Sequence, residues 1–394
     1  MDELPPPALR PGGVLVRTAY SLISAGTERS TVKTAQSSIL GKMIERPDLV
    51  RQGIQTLKRE GLRATLDKVK SRLNQIKALG YSASGRVIAV GQGAEEFRVG
   101  DPVACAGVGY ASHAEVIFVP RNLCARVPAD ALLESACYAT VGSIALHGIR
   151  QSEVQLGDVA VVIGLGLVGQ LTVQMLRATG ARVIGYDIDP AACELAEQSG
   201  ASCTSDEEVL QQKCDRLADR RGADCVLITA ASKSNRPVEL AAEIARDRGR
   251  VVAVGLVGLD VPRDLFYSKE LELRLSRSYG PGRYDPVYEE KGVDYPVGYV
   301  RWTEKRNMEA FLQLAAEGTV NTARLTTHRF PIERAGEAYD LLVNGPSAAS
   351  LAADSSTGET NGGDTTKAVV AAHKHRCGVV LFYPGAQRDT SHGL

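Results

Sequence analysis

The alternation of hydrophobic and polar residues divides the chain into two regimes. Through the first third, apolar runs are short and broken by glycine and proline. Val14, Val16, Thr18 and Tyr20 alternate across residues 14–21 and predict a strand, with a turn over 24–28. Further strands are predicted at 81–90, after the turn at 99–102, and in the stretch 107–119. Many short strands with such punctuation predict a small β-barrel-like unit. Residues 31–77 depart from this pattern. Leu57, Leu62, Leu66, Val69, Leu73 and Ile76 fall at helical spacing, opposite a face of Lys58, Arg59, Arg63, Lys68, Lys70, Arg72 and Lys77. This reads as amphipathic helices with a solvated face, or as a lid or site for an anionic substrate.

From residue 132 the period changes. A helical pattern over 132–150 leads into five apolar residues, Val159-Ala160-Val161-Val162-Ile163, that read as a buried strand. Gly164-x-Gly166-x-x-Gly169 follows, and 170–179 continues as a helix. A second strand, 182–186, ends at Asp187. Helices over 190–199, 207–220 and 238–247 then alternate with strands over 224–229 and 250–254, and 271–278 reads as an edge strand. This is the pattern of a doubly wound parallel sheet, and the fold class is α/β. Strand, glycines, helix, strand and acid in this order form a dinucleotide fingerprint. Gly164 permits the tight turn, Gly166 admits a pyrophosphate to the backbone, and Gly169 allows close helix packing. The N–H groups at Leu167 and Val168 face the phosphates. Asp187, about 20 residues on from the glycines, is placed to bind the ribose hydroxyls and to repel a 2′-phosphate, so NAD(H) is expected over NADP(H). Thr229, Ala230 and Gly255, at the ends of later strands, complete the expected cofactor-binding set.

Residues 279–304 form a long loop rich in aromatic residues and arginine, which argues for function rather than disorder. Arg283, Tyr284, Tyr288, Arg301 and Trp302 suit a substrate bearing hydroxyls and negative charge, such as a sugar derivative; packing or a dimer contact is the plainer reading. Helices are predicted at 305–316 and 335–343, a flexible Ser/Thr/Gly/Ala-rich insertion at 346–372, a strand at 378–383 and a frayed tail at 385–394. His113 and His147 stand alone and read as structural.

Across all 394 residues, 46 Lys and Arg balance 46 Asp and Glu, so no bulk attraction to nucleic acid or membrane is expected. The eight cysteines include no CxxC pair and mostly lie in apolar runs, as reduced core thiols of a cytoplasmic protein do. No apolar run is long enough to span a bilayer, and the N-terminus is unlike a signal peptide. His373-x-His375-x-Cys377 reads as a chance spacing rather than a metal site.

Ala25-Gly-Thr-Glu28, 79–85, Val99-Gly-Asp-Pro-Val103, Gln155-Leu-Gly-Asp158 and the glycine fingerprint together resemble the medium-chain dehydrogenase/reductase superfamily over nearly the whole chain. The helical insert and residues 269–284 resemble the dehydrogenase module of bacterial bi-domain oxidoreductases. The resemblance implies a GroES-like β-rich catalytic domain (1–140, with the insert at 31–79), split around a Rossmann domain (141–280) and resumed over 281–384. It also implies a homodimer, and a separate Gfo/Idh/MocA-type oxidoreductase as a partner.

Zinc-using members of that superfamily carry ligands where this chain has Ala25, Tyr81 and Ser82, with a third position near Thr140. These offer alanine, neutral tyrosine and hydroxyls, so no zinc is expected, and Glu28 and Cys137 are the only nearby groups that could rescue a site. Tyr81 is expected as acid/base and Thr27 as proton relay, with Glu28 beside them; filling the emptied metal hole is an equal reading of Tyr81. The expected activity is NAD(H)-dependent interconversion of an alcohol and a ketone on a small polar substrate. A quinone or enoyl reductase and a non-catalytic dinucleotide-binding regulator or scaffold are the alternatives.

Overall fold

The computed structural model describes residues 4–24, 26, 28, 78–344 and 377–388. Ala25, Thr27, the stretch 31–77 expected to be helical, the expected insertion at 346–372, His373 and His375 lie outside the described residues.

Two sheets carry the fold. The first begins with β1 (Gly13–Ile23), β2 (Ser82–Val90), β3 (Pro102–Ala106), β4 (Val116–Pro120) and β5 (Cys124–Arg126). β1 is its hub and pairs antiparallel with both β2 and β4. A short helix α1 (Leu133–Ala136) and the long α2 (Ala139–Ser152) then cross to the second sheet. α2 is buried along nearly its whole length.

The second sheet alternates strictly: β6 (Val159–Ile163), α3 (Leu167–Ala178), β7 (Arg182–Tyr186), α4 (Pro190–Glu197), β8 (Ser202–Thr204), α5 (Glu207–Leu217), β9 (Ala223–Ile228), α6 (Arg236–Ile244), β10 (Ala245–Ala253), α7 (Arg263–Ser268) and β11 (Glu272–Leu275). Its order is β11-β10-β9-β6-β7-β8, all parallel. The winding reverses between β6 and β9, so a crevice opens at their C-terminal ends, where such sheets bind ligands. Every side chain of β6 is buried, as the unbroken apolar run requires of a strand covered on both faces. Asp189 and Asp206 cap α4 and α5 by accepting from backbone N–H groups.

The chain then runs through α8 (Pro286–Glu289) and α9 (Glu304–Ala316) to β12 (Thr326–Pro331), α10 (Ala335–Asn344), β13 (Gly378–Phe382) and α11 (Pro384–Arg388). β13 inserts between β1 and β12, returning the chain to the first sheet. α9 packs on α2, where the Phe311 ring fills the space a side chain at Gly142 would take, 2.2 Å from an added Cβ.

Two expectations are corrected, and one strand shows no sign in the sequence. The helix read at 238–247 stops at Ile244, because Ala245 already pairs with Ala223; the register breaks before Arg250, with Arg248 at φ 57°. Lys269 sets that helix end, since its Nζ donates to the carbonyls of Ala242, Glu243 and Ala245 at 2.7–2.9 Å. The tail read as frayed from 385 forms a helical turn through Arg388. β12 escapes the pattern because Thr-Thr-His-Arg-Phe-Pro shows no alternation, and its order comes from pairing with β13. All eight cysteines are free and buried, and among the described residues no helix is long and apolar enough to cross a membrane.

Candidate active site

The glycine turn stands on the C-terminal end of β6. Gly164 has φ 95°, and a Cβ there would meet Ala230 N at 2.5 Å. At Gly169 a Cβ would meet the Gly164 carbonyl at 2.0 Å. Both glycines are therefore required by the fold itself. Gly166 differs: it is exposed, and an added Cβ would meet nothing within 4 Å. That open space lies at the N-cap of α3, where the first N–H groups, at Leu167 and Val168, have no partner within the helix. This cradle fits a dinucleotide pyrophosphate.

Thr229, Ala230 and Gly255 gather round the same turn. Thr229 Oγ1 donates to the Gly164 carbonyl at 2.5 Å, and Thr229 and Ala230 N–H both donate to Ile163 O. Gly255 passes so close to Ala230 that a Cβ would lie 2.0 Å from its carbonyl oxygen. Asp187 ends β7 half-buried. Its Oδ2 accepts from Leu165 N at 2.6 Å and its Oδ1 from Asp189 N at 2.9 Å. The carboxylate is thus aimed before any ligand arrives, and each oxygen keeps a lone pair for a ribose hydroxyl.

Of the positions expected to do chemistry, Tyr81 and Glu28 are described, and they flank strands of the first sheet. Tyr81 is half-buried just before β2, and its carbonyl accepts from Gly107 N at 3.1 Å. Glu28 is buried and fully engaged. Its Oε1 accepts from Ser24 N at 2.9 Å, while Oε2 meets His113 Nε2 at 3.1 Å and accepts from Tyr339 Oη. On its other side His113 Nδ1 lies 2.7 Å from Ser21 Oγ, which is 2.9 Å from Tyr383 Oη. Tyr339 and Tyr383 are both held above the usual phenol pKa by burial. Both Glu28 oxygens are thus taken up by these partners, which it holds in place. The His113 ring lies against Gly80, where a Cβ would come within 2.9 Å of it, so this buried chain abuts the residue preceding Tyr81. Sequence reasoning missed Ser21, Tyr339 and Tyr383 and took His113 as isolated. Their separations of 85 to 362 positions leave no local signal.

The residues at the superfamily's zinc positions do not fit that metal. Ser82 Oγ donates to Cys137 O at 2.6 Å, and Thr140 Oγ1 is shared between the carbonyls of Tyr81 and Cys105. Burial pushes the Cys137 thiol well up, which keeps it protonated. No group of three or more His, Cys, Asp or Glu suited to a metal exists among the described residues. His147 behaves as a neutral core imidazole, pushed down to about 4 by burial and then by Arg150 and Arg277.

The five loop residues expected at the substrate do not converge. Tyr284 is exposed, with Arg283 4.0 Å and Arg277 5.6 Å above its ring. Arg283 also pairs with Glu289 at 2.5 Å. Tyr288 is buried, stacked on Tyr295 at 5.2 Å and packed under Gly282, so its ring has no free face for a ligand and that expectation is corrected. Arg301 and Trp302 line a recess against α9 that includes no residue of the glycine turn.

The zinc-binding dehydrogenase family model matches residues 168–290. The zinc-type alcohol dehydrogenase-like protein YphC of Escherichia coli K12 is 27% identical over 68% of this chain and 78% of its own length. D-guloside 3-dehydrogenase of Shigella flexneri is 25% identical over 68% of this chain and 73% of its own. Among solved structures, a zinc-binding dehydrogenase from Sinorhizobium meliloti 1021 bound to NADP aligns over 96% of this chain and 94% of its own, with TM-score 0.64 and 18% identity. These likenesses support the medium-chain dehydrogenase/reductase superfamily, and the solved structures share this fold of a GroES-like sheet and a Rossmann sheet.

Proposed function

We propose that this chain is a zinc-independent, NAD(H)-dependent oxidoreductase that interconverts an alcohol and a ketone on a polar, sugar-derived substrate. Its relatives are dehydrogenases acting on CH–OH groups, and it is an oxidoreductase of that kind. The observation that carries the cofactor reading is the open cradle at Gly166, flanked by the preset Asp187 carboxylate. Leu167 and Val168 N–H would hold the pyrophosphate and Asp187 the adenosine ribose; the nicotinamide supplies hydride transfer when bound. The Asp187 charge opposes a 2′-phosphate, which favours NADH even though a structural neighbour holds NADP.

Tyr81 is the proposed acid/base: its hydroxyl donates to the developing alkoxide, and Thr27 passes the proton on. The buried Glu28–His113–Ser21 chain presses the His113 ring against Gly80, the residue before Tyr81. Arg283 and Tyr284 follow the C-terminal end of β11, on the same sheet edge as Gly164 and Gly255, and are the proposed contacts for substrate hydroxyls or charge. A sugar or polyol substrate is supported by the guloside dehydrogenase among the relatives.

The test combines metal analysis of the purified chain, NADH and NADPH titration, and a panel of sugar alcohols and ketoses. Expected are no stoichiometric zinc, tighter NADH than NADPH binding, and turnover lost in Tyr81→Phe. Stoichiometric zinc required for activity, or undiminished turnover in Tyr81→Phe, would overturn the reading.

A further inference from the structure

The chain contains one tryptophan, Trp302, and two guanidinium groups hold its ring. Cζ of Arg150 lies 3.4 Å from the ring centroid and Cζ of Arg301 lies 3.9 Å from it. Two guanidinium carbons at such distances on one face would overlap, so they stand on opposite faces. Arg150, in the last turn of α2, uses its Nε on Asn307 Oδ1 at 2.9 Å. Among the described residues neither Arg150 nor Arg301 enters an ion pair. Arg306 beside them is different: it is satisfied by Asp294 and by the carbonyls of Val300 and Tyr295.

A recess of about 530 Å³ opens at this point, lined by Arg301, Trp302, Arg306, Val297, Ala310 and Glu309. Small-molecule sites typically occupy about 300–1,000 Å³. Arg150 is pushed down to about 10, first by burial and then by the nearby Arg301 charge. Positive charge crowded in this way, with neither guanidinium in an ion pair among the described residues, is relieved by a bound anion.

We propose that this recess is a second binding site, separate from the glycine turn, for a small molecule bearing an oxyanion. Arg301 supplies the fork that fits phosphate or carboxylate, and the Trp302 ring forms the wall behind it. The exposed Glu309 is the one carboxylate lining the recess, and it opposes the ligand. This site does not depend on the proposed redox activity, and its test needs no turnover.

Trp302 reports on its own site, because an anion that draws Arg301 off the ring changes the emission. The full chain is titrated with inorganic phosphate and, separately, with acetate, at ionic strength held constant with chloride. A saturable emission change is expected, and the tighter of the two probes identifies the preferred group. Arg301→Ala should weaken that binding at least tenfold, and Glu309→Gln should tighten it severalfold. Calorimetric titration of Arg301→Ala guards against a merely altered starting emission. A response that is linear, that chloride reproduces, or that survives unchanged in Arg301→Ala overturns the proposal.

Discussion

Glu28 and His113, 85 positions apart, meet at 3.1 Å between Oε2 and Nε2, with both side chains nearly closed to solvent. The contact ties the turn after β1 to the loop before β4, and Tyr339 and Ser21 extend it to α10 and to Tyr383, just past β13. A buried carboxylate of this kind is tolerated only while its partners remain. Glu28→Ala should therefore lower the unfolding free energy by about 2–4 kcal/mol. Glu28→Gln should cost less, because its amide oxygen still accepts from Ser24 N–H. Urea melts of the two variants check this, and an unchanged midpoint in Glu28→Ala would refute it.

The three glycines of the turn should separate by substitution. Gly166→Ala places its methyl in open space at an ordinary backbone angle, φ −66°, so stability should move by less than about 1 kcal/mol. NADH affinity should fall about tenfold or more, because the methyl occupies the pyrophosphate's approach. Gly169→Ala drives a methyl against a carbonyl 2.0 Å away and should cost several kcal/mol, ~3 or more, whatever the cofactor concentration. Thermal melts with and without NADH distinguish the two.

Asp187→Asn and Asp187→Ala divide the two duties of that side chain. Both remove the charge that opposes a 2′-phosphate, so the NADH-to-NADPH affinity ratio should fall by about tenfold in each. Only Asp187→Ala also strips Leu165 N–H of its acceptor, adding about 1–3 kcal/mol of destabilisation. Fluorescence titration with both cofactors reads the first effect and chemical denaturation the second. An unchanged ratio in both variants would show that Asp187 does not read the ribose.

Glu304, at the start of α9, is buried with neither carboxylate oxygen hydrogen-bonded. Its pKa is raised to about 9, first by burial and then by Glu289. The folded chain therefore holds this proton while the unfolded chain releases it near the ordinary value of 4.5. The unfolded state binds fewer protons between those values, so the Glu304 contribution to stability is full below 4.5 and is lost as pH rises toward 9. Glu304→Gln removes that dependence. The stability of the variant relative to wild type should rise by about 1.4 kcal/mol per pH unit across pH 6–8. Parallel curves in urea melts at pH 6, 7 and 8 would rule this out.

Much of the fold was legible because its signals are local. The β6 run, the three glycines and the acid ending β7 lie within thirty residues and obey one period each, so strand, turn and helix follow from short-range sterics. β12 and the stop of α6 at Ile244 were not legible. Both are set by strands that pair across the sheet, with no sign in their own residues. The loop at 279–304 showed its chemistry but not its arrangement. Tyr288 went inward beside Asn122 and Trp302 went under Arg150 of α2, because which face each side chain meets depends on elements more than a hundred residues away.

By itself the sequence determined the α/β class, the glycine turn after β6, and the absence of ligand atoms at Ala25, because backbone conformation and side-chain chemistry are properties of short segments. Only the tertiary structure decided that Glu28, His113, Ser21, Tyr339 and Tyr383 form one buried chain, and that two arginines enclose Trp302. Such partnerships arise when distant segments are desolvated together, and a polar group then takes whichever partner the packing brings within reach.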